Sequence, residues 1–546
     1  MIDKKKIIEY FKENNLVPRD SQKEVLLKIA NNWDNKKYFV VSAPMGVGKT
    51  HIALALSDAV KRTYITTASK QLQKQYVETD PGITSISGKS NYRCGIDPTT
   101  NCATAPCISD SQLKQKCISG NICPYYSKKE AAINAQSTLS NFHYFMFSSF
   151  YGFLRDGEEF RKRDLLIVDE AHEFPDVIAS IGAMMLDIDK LIDLNICHPN
   201  AVWEDENDIM TNENLISEIY DNALELSVKL MSKIKSINVK VKSATHKTAP
   251  KLKKELVNVT SEFNKIDSIA KSIDNYFATK DKDRWVFDID QENNICKLSP
   301  LKASYTFKKN IEPVADKFIF MSATILNHEL FCREMGIPMS DTMFIDVDSP
   351  FDPANSPIHK VNVGSMNYKN IDKSLINVVK ATENIMEAFG DEKGIIHSGN
   401  YKISNYIYNN IDKKYKKRLL GAFKGKYRLS NEELVKKHEE SSEPTVLISP
   451  SLTTGVDLKD ELSRFQIITK LPFISLNDKR VKAKMEDDKD WYLNQMFLTL
   501  LQSSGRSTRS NEDWAETFIL DSAFEFWTDK YSSKLPIWFK HRIENG

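Results

Sequence analysis

Residues 43–50 read APMGVGKT, between the apolar run YFVVSAP (38–44) and the helical stretch His51–Arg62. A strand that turns through glycines into a helix is the local plan of a phosphate-binding loop, and it commits the chain to an open α/β sheet. Gly46 and Gly48 permit backbone N–H groups to turn inward around phosphate oxygens. Lys49 brings a positive charge to the β- and γ-phosphates, and Thr50 offers a hydroxyl to Mg²⁺ at the positive end of the helix dipole. Ala43 stands where the commonest form of the loop has its first glycine.

The rest of the chain repeats that plan. The runs TYITTA (63–68), DLLIVDE (164–170) and KFIFMSAT (317–324) are short, β-branched and end in polar residues, as buried parallel strands do. Helical stretches separate them, so a doubly wound α/β domain is expected. GIIHSG (394–399), TVLISP (445–450), FQIITKLPF (465–473) and ETFILD (516–521) predict a second parallel-sheet domain of the same kind. Two segments break the alternation. One, roughly 90–128, is rich in cysteine. The other, roughly 179–297, carries apolar residues at three- and four-residue steps, as in NENLISEIYDNALELSVKLMSKI, and predicts a helical insert.

A chain of 546 residues exceeds one ordinary core, in keeping with several domains. With 75 basic against 74 acidic residues the net charge is +1, so a nucleic-acid site has to be a local groove or patch. Lys233–Lys254 holds eight lysines and no acid, and reads either as such a patch or as a solvated helix face or loop. No stretch approaches the ~20 apolar residues of a membrane span. The opening MIDKKKIIEYF lacks the apolar core of a signal peptide. A cytoplasmic protein with no membrane attachment is expected, with cysteines that are thiols or metal ligands rather than disulfides.

DLLIVDEAH ends an apolar strand in Asp169, Glu170, Ala171 and His172, and ligands of open α/β sheets bind at that end. Asp169 is positioned to hold Mg²⁺, and Glu170 to act as the general base that orients an attacking water. QSSGRSTRS supplies Gln502, Gly505, Arg506 and Arg509, and arginines three residues apart share a helix face from which they can neutralise a transferring phosphoryl group. Ser322, Ala323 and Thr324 in FMSATI, and Thr454, Gly455 and Asp457 in SPSLTTGVDL, also follow strands, where small polar residues can sense nucleotide or touch a phosphate backbone. Arg19 and Gln22 in VPRDSQ read either as brackets for an adenine or as a helix cap.

Five of the eight cysteines fall between Cys94 and Cys123. Zinc sites favour paired short spacings such as CxxC, which this window lacks, whereas irregular spacing suits an iron–sulfur cluster held by loops.

In this order the motifs APMGVGKT, TTASKQLQKQ, GKSNYRC, CPYY, VDEAH, FMSATI, GVDL, KLPF and QSSGRSTRS resemble those of superfamily 2 helicases of the XPD/DinG-like iron–sulfur group, from about Arg19 to LPIWF near Trp538. The resemblance implies two RecA-like motor domains with ATP and Mg²⁺ in the cleft between them. It also implies a 4Fe–4S domain and a helical arch inserted in the first. Cys94, Cys107, Cys117 and Cys123 are the cluster ligands it implies, with Cys107 preferred over Cys102. The expected organisation is motor domain 1 at 1–90, 129–178 and 298–345, the cluster domain at 91–128, the arch at 179–297 and motor domain 2 at 346–546. The implied activity is 5′-to-3′ translocation on single-stranded DNA with unwinding of tailed or forked duplexes, by a monomer in a bacterial or virus-infected host cell. A translocase that strips protein from DNA without unwinding would carry the same motor motifs. Tyr92, Tyr125 and Tyr126 could stack bases or pack the small metal domain, with Lys89 and Arg93 as phosphate contacts.

Overall fold

The computed structural model describes residues 2–108, 110–152, 162–245, 248–280, 284–421, 423, 429–450, 458, 460–505 and 512–544. Two parallel sheets organise them. The first has seven strands, ordered from edge to edge Thr342–Asp346, Tyr38–Ser42, Ala315–Ser322, Arg163–Asp169, Thr63–Thr67, Ser137–Asn141 and Thr84–Ser85. The second has six, ordered Ile358–Lys360, Glu516–Ile519, Phe465–Ile468, Gly394–His397, Val446–Ser449 and Leu419–Gly421. Both are parallel throughout, so all strands of a lobe deliver their carboxyl ends to one edge.

Near-continuous apolar strands demand cover on both faces. In the first lobe Phe39, Val41, Ile65, Leu165, Ile167 and Ile319 pack on one face beneath helix Lys49–Asp58. Tyr38, Val40, Leu166, Val168, Phe318 and Phe320 pack on the other. At the opposite end of the sheet Arg163 is buried and donates to the carbonyls of Thr63, Gln136 and Ala132, with its guanidinium 4.1 Å from the centre of the Tyr64 ring. That fan of donors ties strand Arg163–Asp169 to the start of Thr63–Thr67 and to the segment that leads into Ser137–Asn141.

The stretch expected to be a helical insert contains two long helices, Ile209–Lys242 and Ala249–Thr279, packed along each other. Their shared seam holds Ile216, Ile219, Ala223, Leu230 and Ile237 from the first and Val259, Ile266, Ala270 and Ile273 from the second. It also contains something the periodicity did not announce. A three-stranded antiparallel sheet of Met184–Asp187, Ile295–Pro300 and Trp285–Asp290 forms the base of this hairpin. Met184 pairs with Leu298, a partner more than a hundred residues away, and such pairing leaves no local trace in the chain.

Phe320 is fully buried among the rings of Phe174, Phe307 and Phe331. Phe320→Ala is expected to cost about 3–5 kcal/mol through lost burial and a residual cavity. The loss should appear as a lower denaturant midpoint for the first lobe.

Candidate active site

The phosphate loop has the backbone its glycines foretell. Gly46 and Gly48 lie at φ +84° and +85°, and Gly48 caps helix Lys49–Asp58. A Cβ on Gly48 would come 2.4 Å from Gln22 Nε2. Lys49 Nζ donates to the Ala43 carbonyl at 3.1 Å, which holds the ammonium across the loop. Gln22 is buried, donates to the Gly48 carbonyl at 3.2 Å and accepts from Arg19 N at 2.9 Å. It therefore caps its helix and braces the phosphate loop at once, while Arg19 lines the adjoining cleft.

The acidic pair comes from a different strand. Asp169 and Glu170 end Arg163–Asp169, separated from the phosphate-loop strand by Ala315–Ser322. Glu170 takes a left-handed backbone, φ +60° and ψ +46°, which is uncommon and costly for a residue with a Cβ. That turn sends the chain directly into the short helix Ala171–Glu173. Asp169 accepts from the buried Tyr76 hydroxyl at 2.9 Å and from Glu170 N at 3.0 Å. Burial, and then the adjacent Glu170 charge, holds the Asp169 carboxyl above the ordinary carboxylate range, against the pull of Lys49 and Tyr76. Burial also pushes Glu170 upward, but the hydrogen bond from His172 and the charge of Lys49 outweigh it and keep it ionised. An anionic Glu170 is the protonation state a general base requires.

His172 connects this pair to its surroundings. Its Nδ1 is 2.8 Å from Ser322 Oγ and 3.4 Å from Glu170 Oε2, and its Nε2 is 3.6 Å from Glu173 Oε1. Burial lowers its pKa, yet Glu170 and Glu173 together lift it to about 9. The Gln502 amide, from the second lobe, lies 2.5 Å from His172 Nε2. The amide nitrogen, Gln502 Nε2, is the atom placed there, and since a protonated imidazole donates at Nε2, the amide has to turn its oxygen to the ring to accept that proton.

Lys49, Thr50, Asp169, Glu170, Gln502 and Gly505 all line one cleft of about 760 Å³ between the lobes. A Cβ on Gly505 would approach Met45 Cε to 2.8 Å, so the second lobe closes directly against the phosphate loop. The cradle has the backbone, the ammonium, the hydroxyl and the carboxylate that a nucleoside triphosphate with Mg²⁺ needs. Arg506, Arg509, Thr454, Gly455 and Asp457 lie outside the described residues.

Three further residues belong to this site and were not assigned from the sequence. Tyr76 sits on helix Lys70–Thr79, whose start is fixed by Ser69 Oγ accepting from Leu72 N, and supports Asp169 from below. Phe351 lays its ring against Gly46, where an added Cβ would come within 2.1 Å. Arg542 is buried beside the cleft and donates to the Ser356 and Ser504 carbonyls at 2.6 and 2.8 Å. The i, i+3 step from Gln73 to Tyr76 was a visible signal for a buried face; Phe351 and Arg542 left none.

The five clustered cysteines are all buried. Cys102 Sγ is 3.9 Å from Cys123 Sγ, and these two pack with Cys117, while Cys94 packs with Cys107 and Ala105. The structure thus brings Cys102 into the same group as the four implied ligands. Among the described residues no three His, Cys, Asp or Glu side chains converge on a single metal ion. An all-thiol, buried donor set in two adjoining groups is chemistry that fits a multinuclear cluster, whose ligands bind different metal atoms. Tyr92, Tyr125 and Tyr126 meet edge to face at 5.7 and 5.3 Å alongside these cysteines, with Lys89 Nζ 5.5 Å from the Tyr125 ring centre. Lys89 and Arg93 are exposed. The lysine run lies at the far end of the long hairpin, where Lys233, Lys235 and Lys240 are exposed and Lys233 is 4.0 Å from Glu255.

Fold and cleft together define a two-lobed, nucleotide-hydrolysing motor. The DEAD_2 family model matches residues 52–191, and the helicase C-terminal domain model matches 383–542. The ATP-dependent DNA helicase YoaA of Haemophilus influenzae is 24% identical over 92% of this chain and 91% of its own. The ATP-dependent DNA helicase DinG of Photobacterium profundum is 27% identical over 44% of this chain and 36% of its own. A solved XPD helicase structure superposes with a TM-score of 0.59 at 15% identity, over 94% of this chain and 98% of that one. The chain is an XPD/DinG-like superfamily 2 helicase, an ATP-hydrolysing enzyme.

Tyr76→Phe removes the donor beneath Asp169 while keeping the ring. It is expected to raise the Mg²⁺ concentration for half-maximal ATP hydrolysis about tenfold or more, by roughly the worth of one hydrogen bond to a charged group. A Mg²⁺ titration of phosphate release reads this directly.

Proposed function

We propose that this helicase translocates 5′-to-3′ on single-stranded DNA and separates tailed or forked duplexes as a monomer. The observation that carries the reading is the shared cleft, where Lys49, Thr50, Asp169 and Glu170 of one lobe face Gln502 and Gly505 of the other. Lys49 and the loop N–H groups hold the phosphates, and Asp169 and Thr50 hold Mg²⁺. Glu170 takes a proton from the attacking water, and its left-handed backbone turn fixes where that carboxylate stands. Gln502 reports the state of the acidic pair to the second lobe through His172. Arg506 and Arg509 follow within a few residues and supply positive charge to the transferring γ-phosphoryl group. Closing and reopening the cleft moves two grips on the DNA backbone past each other.

Residues 91–128 form the cluster domain, 179–297 the arch, and 346–546 the second motor domain. Cys94, Cys107, Cys117 and Cys123 hold a 4Fe–4S cluster, which supplies covalent cross-links to a segment with little apolar core of its own. The DNA substrate and the cytoplasmic setting follow the bacterial helicases that the chain resembles. No such support exists for a virus-infected host. Among the described residues no helix is long and apolar enough to cross a membrane.

Lys49→Ala and Glu170→Gln are each expected to abolish DNA-stimulated phosphate release while leaving single-strand binding within about twofold, since both line the nucleotide cleft. Parental hydrolysis by Glu170→Gln would reject the general-base role. Unwinding of duplexes with a 5′ or a 3′ tail tests polarity. Single Cys→Ser replacements at all five clustered positions, read by iron and sulfide content, are expected to spare the cluster only at Cys102.

A further inference from the structure

Helix Lys479–Asp487 belongs by connectivity to the second lobe, between strands Phe465–Ile468 and Glu516–Ile519. Its charged side chains nevertheless bond to the first lobe and to the hairpin base. Arg480 donates to Asp176 Oδ1 at 3.2 and 3.3 Å, to the Pro300 carbonyl at 3.0 Å and to the Leu301 carbonyl at 3.3 Å. Lys484 is 2% exposed, reaches Asp176 at 3.4 Å, pairs with the buried Glu334 and lies 4.3 Å from the centre of the Trp491 ring. Lys479 pairs with Glu206 and lies 3.4 Å from Asp288. Asp487 lies 3.6 Å from Lys302, and the C-cap Asp488 pairs with Arg333.

These partners fall in two groups. Asp176 is on helix Phe174–Gly182, which begins two residues after His172. Pro300 ends the central strand of the antiparallel sheet at the hairpin base, Asp288 lies in its neighbour, and Glu206 shortly precedes the long helix Ile209–Lys242. One guanidinium, Arg480, bonds both groups. A planar fork with five donors can hold a carboxylate and two carbonyls at once; an ammonium cannot reproduce that geometry. The helix bearing Asp176 is thus held from two sides, by Gln502 on His172 at the cleft and by Arg480 and Lys484 behind. Separating Lys484 from both carboxylates would strand a buried charge. A cavity of about 30 Å³ between Asp176, Glu334 and Trp491, large enough for about one water, leaves room for small shifts there.

We infer that Arg480 is a positioning residue, through which the second lobe, moving with the state of the nucleotide cleft, carries the base of the helical hairpin with it. The inference rests on the motor reading above and adds a mechanical link that sequence motifs do not name. It touches neither nucleotide nor any residue lining the cleft.

The test places fluorophores at the exposed Val239 in the hairpin and Val17 in the first lobe, 68% and 88% exposed respectively, through encoded azide-bearing residues in the full chain. Energy transfer is read with and without Mg²⁺ and a non-hydrolysable ATP analogue. In the parent, nucleotide is expected to change the transfer. In Arg480→Ala the change is expected to be lost, with ATP hydrolysis within about threefold of the parent and strand separation down about tenfold or more. Arg480→Lys, keeping the charge but losing the fork, is expected to fall between the two. Should Arg480→Ala fail to fold, Lys479→Ala tests the same link at its partly exposed end, with the same expectation. A nucleotide response in the folded variant equal to the parent's overturns the inference alone. A parent whose hairpin does not respond also overturns the inference, whereas the motor reading falls only if phosphate release by the parent ignores added single-stranded DNA.

Discussion

Strand Ala315–Ser322 is hydrogen-bonded between the strand that feeds the phosphate loop and the strand that ends in the acidic pair. The register is tight: Ser42 pairs with Ser322 on one side, and Asp169 with Met321 on the other. Parallel pairing lines up the carboxyl ends of all three, so the phosphate loop, the Ser322 hydroxyl and the Asp169–Glu170 pair arrive at one edge although their strands are far apart in sequence. Ser322 then bonds His172, and His172 meets Gln502 across the cleft. Loss of that three-strand register would scatter every group the chemistry uses, whatever the local motifs.

Around this edge the molecule places charge where burial makes it matter. Glu170 keeps its charge because His172 and Lys49 outweigh desolvation, and His172 keeps its proton because two glutamates flank it. The same logic recurs behind the cleft, where Asp176, Glu334 and Lys484 are tolerable only as a paired set. Each group of charges spans two elements, so movement of one element changes the electrostatics of the other. That is the physical basis for coupling a chemical step to displacement.

The inserts follow a different rule. The hairpin is held along its length by an apolar seam, and at its base by a sheet whose strands are far apart in sequence. The cysteine segment has little apolar core beyond its own thiols and three tyrosines. The thiols at its centre are the groups that a metal cluster would cross-link.

Much of the site was legible from the chain alone, because a phosphate loop and a strand-ending acidic pair are local patterns: glycines at fixed offsets, a lysine and hydroxyl after them, acids closing an apolar run. The runs that became the central strands were also visible, since parallel strands buried on both faces are continuously apolar. The polar strand Ser137–Asn141 and the sheet at the hairpin base were not, because their place depends on partners distant in sequence. Tyr76 beneath Asp169, Phe351 over Gly46 and Arg480 between Asp176 and Pro300 are ordinary residues until folding gives them neighbours. Which chemistry the chain carries could be read before folding, since it resides in residue type and short spacing. What supports and connects that chemistry emerges with the folded molecule, since those contacts are made by hydrogen bonds and burial across hundreds of residues.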